Sequence, residues 1–255
     1  MSTRTGNKNQ SLYNELWDDA SEFYRANDPT YAFQFDLIRR ALALVGRRTA
    51  TVLDVGCGDG TKTAFLKTLF PDAQILGVDF SRTGIDYANA HYARDGLRYE
   101  CVDAQSRNVF DRKYDLVTAF EVLEHLQVWE AVLDQICESS AHHVLLSVPC
   151  GKLQKHEYEL IGHFRRFERG QLEEHMRGQG YAPLDVYYAG WPFFNIMLWM
   201  SLNSAFLKRT FNKNIKHASA SLAGRMYSGL FKLLYLHSTS RRRFGTQFVG
   251  LFARA

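Results

Sequence analysis

One ten-residue stretch restricts the fold more than any other: Thr51-Val52-Leu53-Asp54-Val55-Gly56-Cys57-Gly58-Asp59-Gly60. Its first half is a short, β-branched apolar run, the pattern of a buried strand. Its second half puts glycine at every other position. Thr61 to Phe70 then carries Ala64, Phe65, Leu66 and Leu69 at helical spacing. Strand, glycine turn and helix together bring a ligand against bare backbone at a helix N-terminus.

The spacing argues against a dinucleotide, whose fingerprint is G-x-G-x-x-G. Gly56 and Gly58 fit it, but Thr61 stands at the sixth position and the third glycine comes early, at Gly60. Asp54 lies two residues before the first glycine. A carboxylate there repels a pyrophosphate and suits a ligand bearing an ammonium and a sulfonium, such as S-adenosylmethionine (SAM). Gln74 to Asp79 reads as a second strand whose terminal acid falls 23 residues after Gly56, placed to accept from both ribose hydroxyls. A third strand, Leu97 to Val102, leads to Asp103, placed to accept from an adenine amino group.

Further on, Ser81 is expected to cap a helix running to about Ala93. Tyr114 to Phe120, His143 to Val148 and Pro183 to Tyr188 read as strands, with helices over Val128 to Ser140 and Arg169 to Gln179 between them. Strands alternating with helices predict a parallel sheet covered on both faces. Ligands then sit beyond the C-terminal strand ends, where Asp79, Asp103 and Glu121 all fall. Before this core, residues 1–10 read as unstructured, and Leu12 to Tyr24 and Tyr31 to Val45 as helices separated at Pro29. After it, Trp191 to Leu207 and Met226 to His237 are strongly apolar helix candidates.

The run VLDVGCGDG, then GVDFS, CVDA and YDLVTAFEVLEHL, resembles the class I SAM-dependent methyltransferases, similar to the small-molecule, ubiquinone-biosynthesis type of O-methyltransferase, over about residues 45–180. The resemblance implies an α/β fold: a Rossmann-like, doubly wound seven-stranded sheet with an antiparallel last strand at Gln247 to Phe252. It implies a tail and helical cap over 1–45, a SAM-binding core over 46–190, a helical insertion over 191–240 between the last two strands, and the final strand in 241–255. It also implies cofactor contacts from Asp54, Gly56, Cys57, Gly58, Asp79, Phe80, Asp103, Ala104 and Phe120.

Methyl transfer from a sulfonium needs nucleophile, methyl and sulfur held in line in a dry site. A hydroxyl nucleophile also needs its proton taken. The candidates are His163, Glu121 and His125; in a helix, Glu121 would share a face with Glu124 or His125. Ubiquinone-biosynthesis and small-RNA 2′-O-methyltransferases resemble this chain in a similar E-x-x-E-H run that holds a divalent cation. Glu121, Glu124, His125 and His163 could supply such a set, although many relatives use the histidine only to pack the loop, and no metal is assigned from the sequence. His163, in Gly162-His163-Phe164-Arg165-Arg166-Phe167, is the first choice of general base. Arg165 and Arg166 are candidates for an acceptor carboxylate or phosphate.

Composition bears on the acceptor. The chain carries 31 Lys and Arg against 27 Asp and Glu, but residues 191–255 hold ten of the basic residues, twelve aromatics and no acid. Such a segment suits an anionic or apolar partner, and an interfacial helix on an anionic membrane fits it better than a spanning one. An aromatic substrate lid or dimer face is the alternative. Cys57, Cys101, Cys137 and Cys150 form no C-x-x-C pair and read as core thiols of a reducing compartment. The opening MSTRTGNKNQ has no apolar stretch, so no secretory signal is expected. The expectation is therefore a cytoplasmic enzyme, peripheral at the membrane, that methylates a small or lipid-linked non-protein acceptor, at oxygen in the first instance. An RNA 2′-O-methyltransferase and a non-catalytic SAM-binding protein are the alternatives; no RNA-binding module is recognisable.

Overall fold

The computed structural model describes residues 29–46, 49–105, 110–153, 157, 162–203, 222–239 and 244–255. The expected helix over Leu12 to Tyr24 lies outside these residues. The first described helix, α1 (Pro29–Leu42), starts on proline, whose fixed φ and missing N–H suit a first helical turn.

Seven strands then form one sheet: β1 (Thr51–Val55), β2 (Gln74–Asp79), β3 (Leu97–Cys101), β4 (Tyr114–Phe120), β5 (Ser140–Pro149), β6 (Tyr181–Ala189) and β7 (Gln247–Arg254). Their order is β3-β2-β1-β4-β5-β7-β6. β1 to β5 pair in parallel, while β7 runs antiparallel to both β5 and β6. Helices α2 (Thr61–Leu69), α3 (Arg82–Tyr92), α4 (Trp129–Ser139) and α5 (Gln171–Gly178) supply the crossovers and the covering layers. Ser81 caps α3 as its sequence predicts, its hydroxyl accepting from Gly84 N at 3.2 Å. α6 (Phe193–Asn203) and α7 (Leu222–Leu236) lie between β6 and β7 in the chain.

The sheet divides the core in two because successive strand residues point to opposite faces. Val52, Ile75, Leu116 and Leu251 pack with Phe33 and Leu37 of α1, Leu66 of α2 and Ile85 of α3. Leu53, Val55, Val117 and Leu146 pack with Trp129, Val132 and Ile136 of α4 and Met176 of α5. β6 begins two residues before Pro183, and the register shifts between Pro183 and Asp185. β6 is an edge strand, which tolerates a proline and a bulge. α5 starts at Gln171, because Gly170 (φ 86) takes the left-handed conformation just before it.

Candidate active site

The strand order reverses where β1 lies between β2 and β4, so a crevice opens beyond their C-terminal ends. A cavity of about 520 Å³ occupies it, a size typical of small-molecule sites. All nine residues expected to hold the cofactor line it, joined by Tyr31, Asp59, Lys62, Glu121, Val122 and His125.

The glycine turn forms one wall. Gly56 has φ 69, and a Cβ on it would run into the Val122 side chain. Gly60 packs away from the cavity: a Cβ there would lie 2.7 Å from Ala88 and 2.8 Å from Tyr99. The early third glycine thus sets how closely α2 approaches α3 and β3.

Three aspartates from adjacent strand ends face this wall. Asp54, 1% exposed, accepts from Thr63 Oγ1 at 2.6 Å and Thr118 Oγ1 at 2.7 Å. Thr118 is within reach because it is the register partner of Asp54 on β4. Burial raises the Asp54 carboxyl to about 6, against the opposing pull of those two hydroxyls. Asp79 accepts from the backbone N–H of Gly58 at 2.9 Å and of Ser81 at 2.8 Å, which ties β2 to the glycine turn; burial raises its pKa too. Asp103, exposed at the end of β3, accepts from Gln105 N at 2.9 Å. With Asp59 also present and Lys62 as a cation on the rim, this end of the cavity favours a positively charged ligand.

The other end is built by the chain after β4. Glu121 has φ 59, an uncommon conformation for a residue with a side chain. Such strain persists where surrounding contacts enforce it. Here the carboxyl accepts from Ser147 Oγ and Gln247 Nε2, each at 2.7 Å. That turn takes Glu121 out of any helix, and only Leu123–His125 form a 3-10 turn. Glu121 and Glu124 therefore do not share a helical face.

Glu124 points inward instead. Its carboxyl is 0% exposed, and neither oxygen has a hydrogen-bond partner among the described residues. Burial, reinforced by the charge of Glu121, pushes its pKa well above the usual range. His125 Nε2 and His163 Nε2 each lie 3.9 Å from Glu124 Oε1. The opposite nitrogens are occupied: His125 Nδ1 meets Gly162 O at 3.2 Å, and His163 Nδ1 meets Glu157 Oε2 at 3.2 Å. Both imidazoles thus aim Nε2 at one buried carboxyl, with the rings 4.7 Å apart, edge to face. Burial, then the neighbouring His163, lowers His125 to about 3, so its ring is neutral at ordinary pH. Ligand atoms of Glu124, His125 and His163 all lie within 4.8 Å of one another, a group that could hold a metal ion.

His125 lines the cavity; Glu124 and His163 stand just behind it. Arg165 and Arg166 do not reach the cavity. Arg165 donates to Gln127 O at 2.7 Å, and Arg166 Nε donates to both oxygens of Glu157 at 2.9 Å. Glu157, wholly buried and paired with Arg166 and His163, is a site residue that sequence reasoning misses, because no motif links it to partners six and nine positions further on. Lys62 and Tyr31 are missed as well. Lys62 lies two residues after Gly60, at a position where a side chain flanks the glycine loop.

A family model described as a methyltransferase domain matches residues 24–186. A ubiquinone biosynthesis O-methyltransferase from Nitrosococcus oceani is 30% identical over 122 residues, 47% of this chain and 49% of that protein. The chain thus matches about half the length of that relative. Among solved structures, magnesium protoporphyrin IX methyltransferase from Synechocystis, with bound SAH, superposes with a TM-score of 0.59 at 14% identity, over 97% of this chain and all of the other. Geranyl diphosphate C-methyltransferase from Streptomyces coelicolor does so with a TM-score of 0.56 at 14% identity, over 87% and 78%. These structural likenesses are likenesses of fold.

Proposed function

The chain belongs to the methyltransferase-domain family, and on that premise we propose that it transfers a methyl group from SAM to an oxygen of a small or lipid-linked, non-protein acceptor. The cavity fits the donor. The Gly56 turn leaves no room for a side chain against Val122, and three aspartates face a ligand that carries an ammonium and a sulfonium. Ionised Asp54 attracts the ammonium, and Asp103 accepts from the adenine end.

One observation carries the choice of oxygen: two imidazoles aim Nε2 at the buried Glu124 beside the cavity. A hydroxyl acceptor must lose a proton as its oxygen takes the methyl group. Of these groups, His125, neutral at ordinary pH, is the one that lines the cavity. Glu157 fixes His163 through Nδ1, and Arg166 fixes Glu157. The donor set also fits a divalent cation: one carboxyl and two imidazoles, each imidazole oriented through its other nitrogen. Glu124, His125 and His163 would hold it, and a bound ion would supply Lewis acidity that makes a nearby hydroxyl more acidic. Glu124 is wholly buried and His163 nearly so, which keeps bulk water from that side of the cluster.

The reading is tested by incubating the protein and methyl-labelled SAM with phenolic, quinol and polar-lipid fractions, then locating the label by mass spectrometry. An O-methyl product that depends on His125 is expected. A product labelled only on carbon or nitrogen, or only in RNA, would overturn it.

A further inference from the structure

The cavity leaves one part of the molecule unexplained. Among the described residues, twelve large apolar side chains are exposed, and eight of them fall between 191 and 244. Scattered exposed apolar residues are ordinary; a concentration marks a contact surface. Here they follow helical spacing. Phe193, Ile196 and Trp199 recur every three residues along α6, as do Leu230, Leu233 and Leu236 along α7. Trp199 is 61% exposed and Leu233 56%.

The inner sides of both helices are already used. Phe194 of α6 stacks on Phe33 of α1 at 4.5 Å, and Tyr235 of α7 packs edge-on to Phe33 at 6.4 Å and to Phe194 at 5.4 Å. The outward rows therefore belong to two neighbouring helices anchored on the same phenylalanine. Over residues 193–200 and 229–236, whose side chains are described, both helices carry apolar residues on inner and outer sides, with Asn195 and Lys232 as exceptions.

Charge says what could cover them. Residues 191–255 carry ten Lys and Arg and no Asp or Glu, while the rest of the chain holds 21 basic and 27 acidic residues. Two copies docked through this face would bring two such basic segments together, and like charges oppose that. A nucleic acid could stack bases on Phe193 and Trp199, but Ile196 and the three leucines of α7 offer no polar contact to phosphate. A surface both anionic and apolar satisfies both features, as do aromatic side chains at the headgroup level. No described helix is long and apolar enough to cross a membrane.

We propose that the α6–α7 face docks on an anionic lipid bilayer, lying in the interface without spanning it. The same α1 that anchors both helices contributes Tyr31 to the cavity wall, so docking sets the cavity one helix away from the bilayer.

The test is co-sedimentation of the full chain with vesicles of phosphatidylcholine alone or with about a third phosphatidylglycerol. Binding to the anionic vesicles is expected, at least roughly tenfold tighter than to the neutral ones and weakened by salt. The double variant Trp199→Ser, Leu233→Ser should lose about tenfold or more of that binding. Its melting transition should stay close to that of the wild type, because both side chains are more than half exposed and neither belongs to the buried core. Replacing Arg241, Arg242 and Arg243 by serine should weaken binding to the anionic vesicles only. The proposal fails if no binding occurs even at low salt, or if the double variant binds as the wild type does. It also fails if the chain self-associates through this face, so that the double variant is monomeric where the wild type is not, or if RNA rather than lipid is bound.

Discussion

Replacing Asp54 by asparagine should move stability and ligand binding in opposite directions. The Asp54 carboxyl is buried, and burial raises it from 3.8 to about 6. Below the lower value the carboxyl is protonated in both folded and unfolded chains, and its titration leaves stability unchanged. As the pH rises through that window, the unfolded chain ionises while the folded one still holds its proton. Stability then falls by about 1.4 kcal/mol per pH unit. By pH 7 the penalty is complete, at about 3 kcal/mol over a window of about two units. Asp54→Asn cannot ionise, and the hydroxyls of Thr63 and Thr118 can rotate to meet an amide. Urea unfolding at several pH values should show a variant that gains about 3 kcal/mol on the wild type between pH 4 and pH 7. SAM affinity should behave oppositely. In the wild type it should weaken about tenfold from pH 7 to pH 5 as the carboxylate is protonated; in the variant it should be weak and flat. A stability difference that does not change with pH would refute the reasoning, as would an unchanged pH profile of SAM binding in Asp54→Asn.

Gly56→Ala should lose SAM binding and about 1–3 kcal/mol of stability in thermal melts, since its Cβ meets Val122 at a left-handed backbone position. Glu157→Gln strips the buried Arg166 of its counter-charge and should cost about 3 kcal/mol or more in denaturant unfolding. Calorimetry with Mn²⁺ should show binding to the wild type that Glu124→Ala abolishes; equal binding by both would place any ion elsewhere. Asp103→Ala should weaken SAM while leaving the melting transition in place, because Asp103 is exposed and outside the core.

The sheet was legible because its central strands are continuous apolar runs closed by glycine or an acid. β2 and β4 have the bounds that the pattern predicts, and Asp79 and Glu121 sit at their ends. The cavity wall around the glycine turn was legible for the same reason: residues that immediately follow strands gather beyond the strand ends. The wall built after β4 was not. The left-handed turn at Glu121 depends on Ser147 and Gln247, 26 and 126 residues away, and nothing in E-x-x-E-H announces it. Glu157 joins the site through His163 and Arg166, six and nine residues further on, a pairing that no motif announces. The apolar rows of α6 and α7 were visible as composition, but only the contacts of Phe33 show which side of each helix is covered.

The central claim is that the crevice beyond β1, β2 and β4 holds SAM for methyl transfer. Its most direct test is a calorimetric titration of the protein with SAM and with its demethylated product. One molecule should bind per chain with either ligand, and Asp79→Ala, which removes the carboxyl joining β2 to the glycine turn, should abolish both. No heat of binding from a folded protein, with and without Mg²⁺, would contradict the account and give the crevice to another ligand.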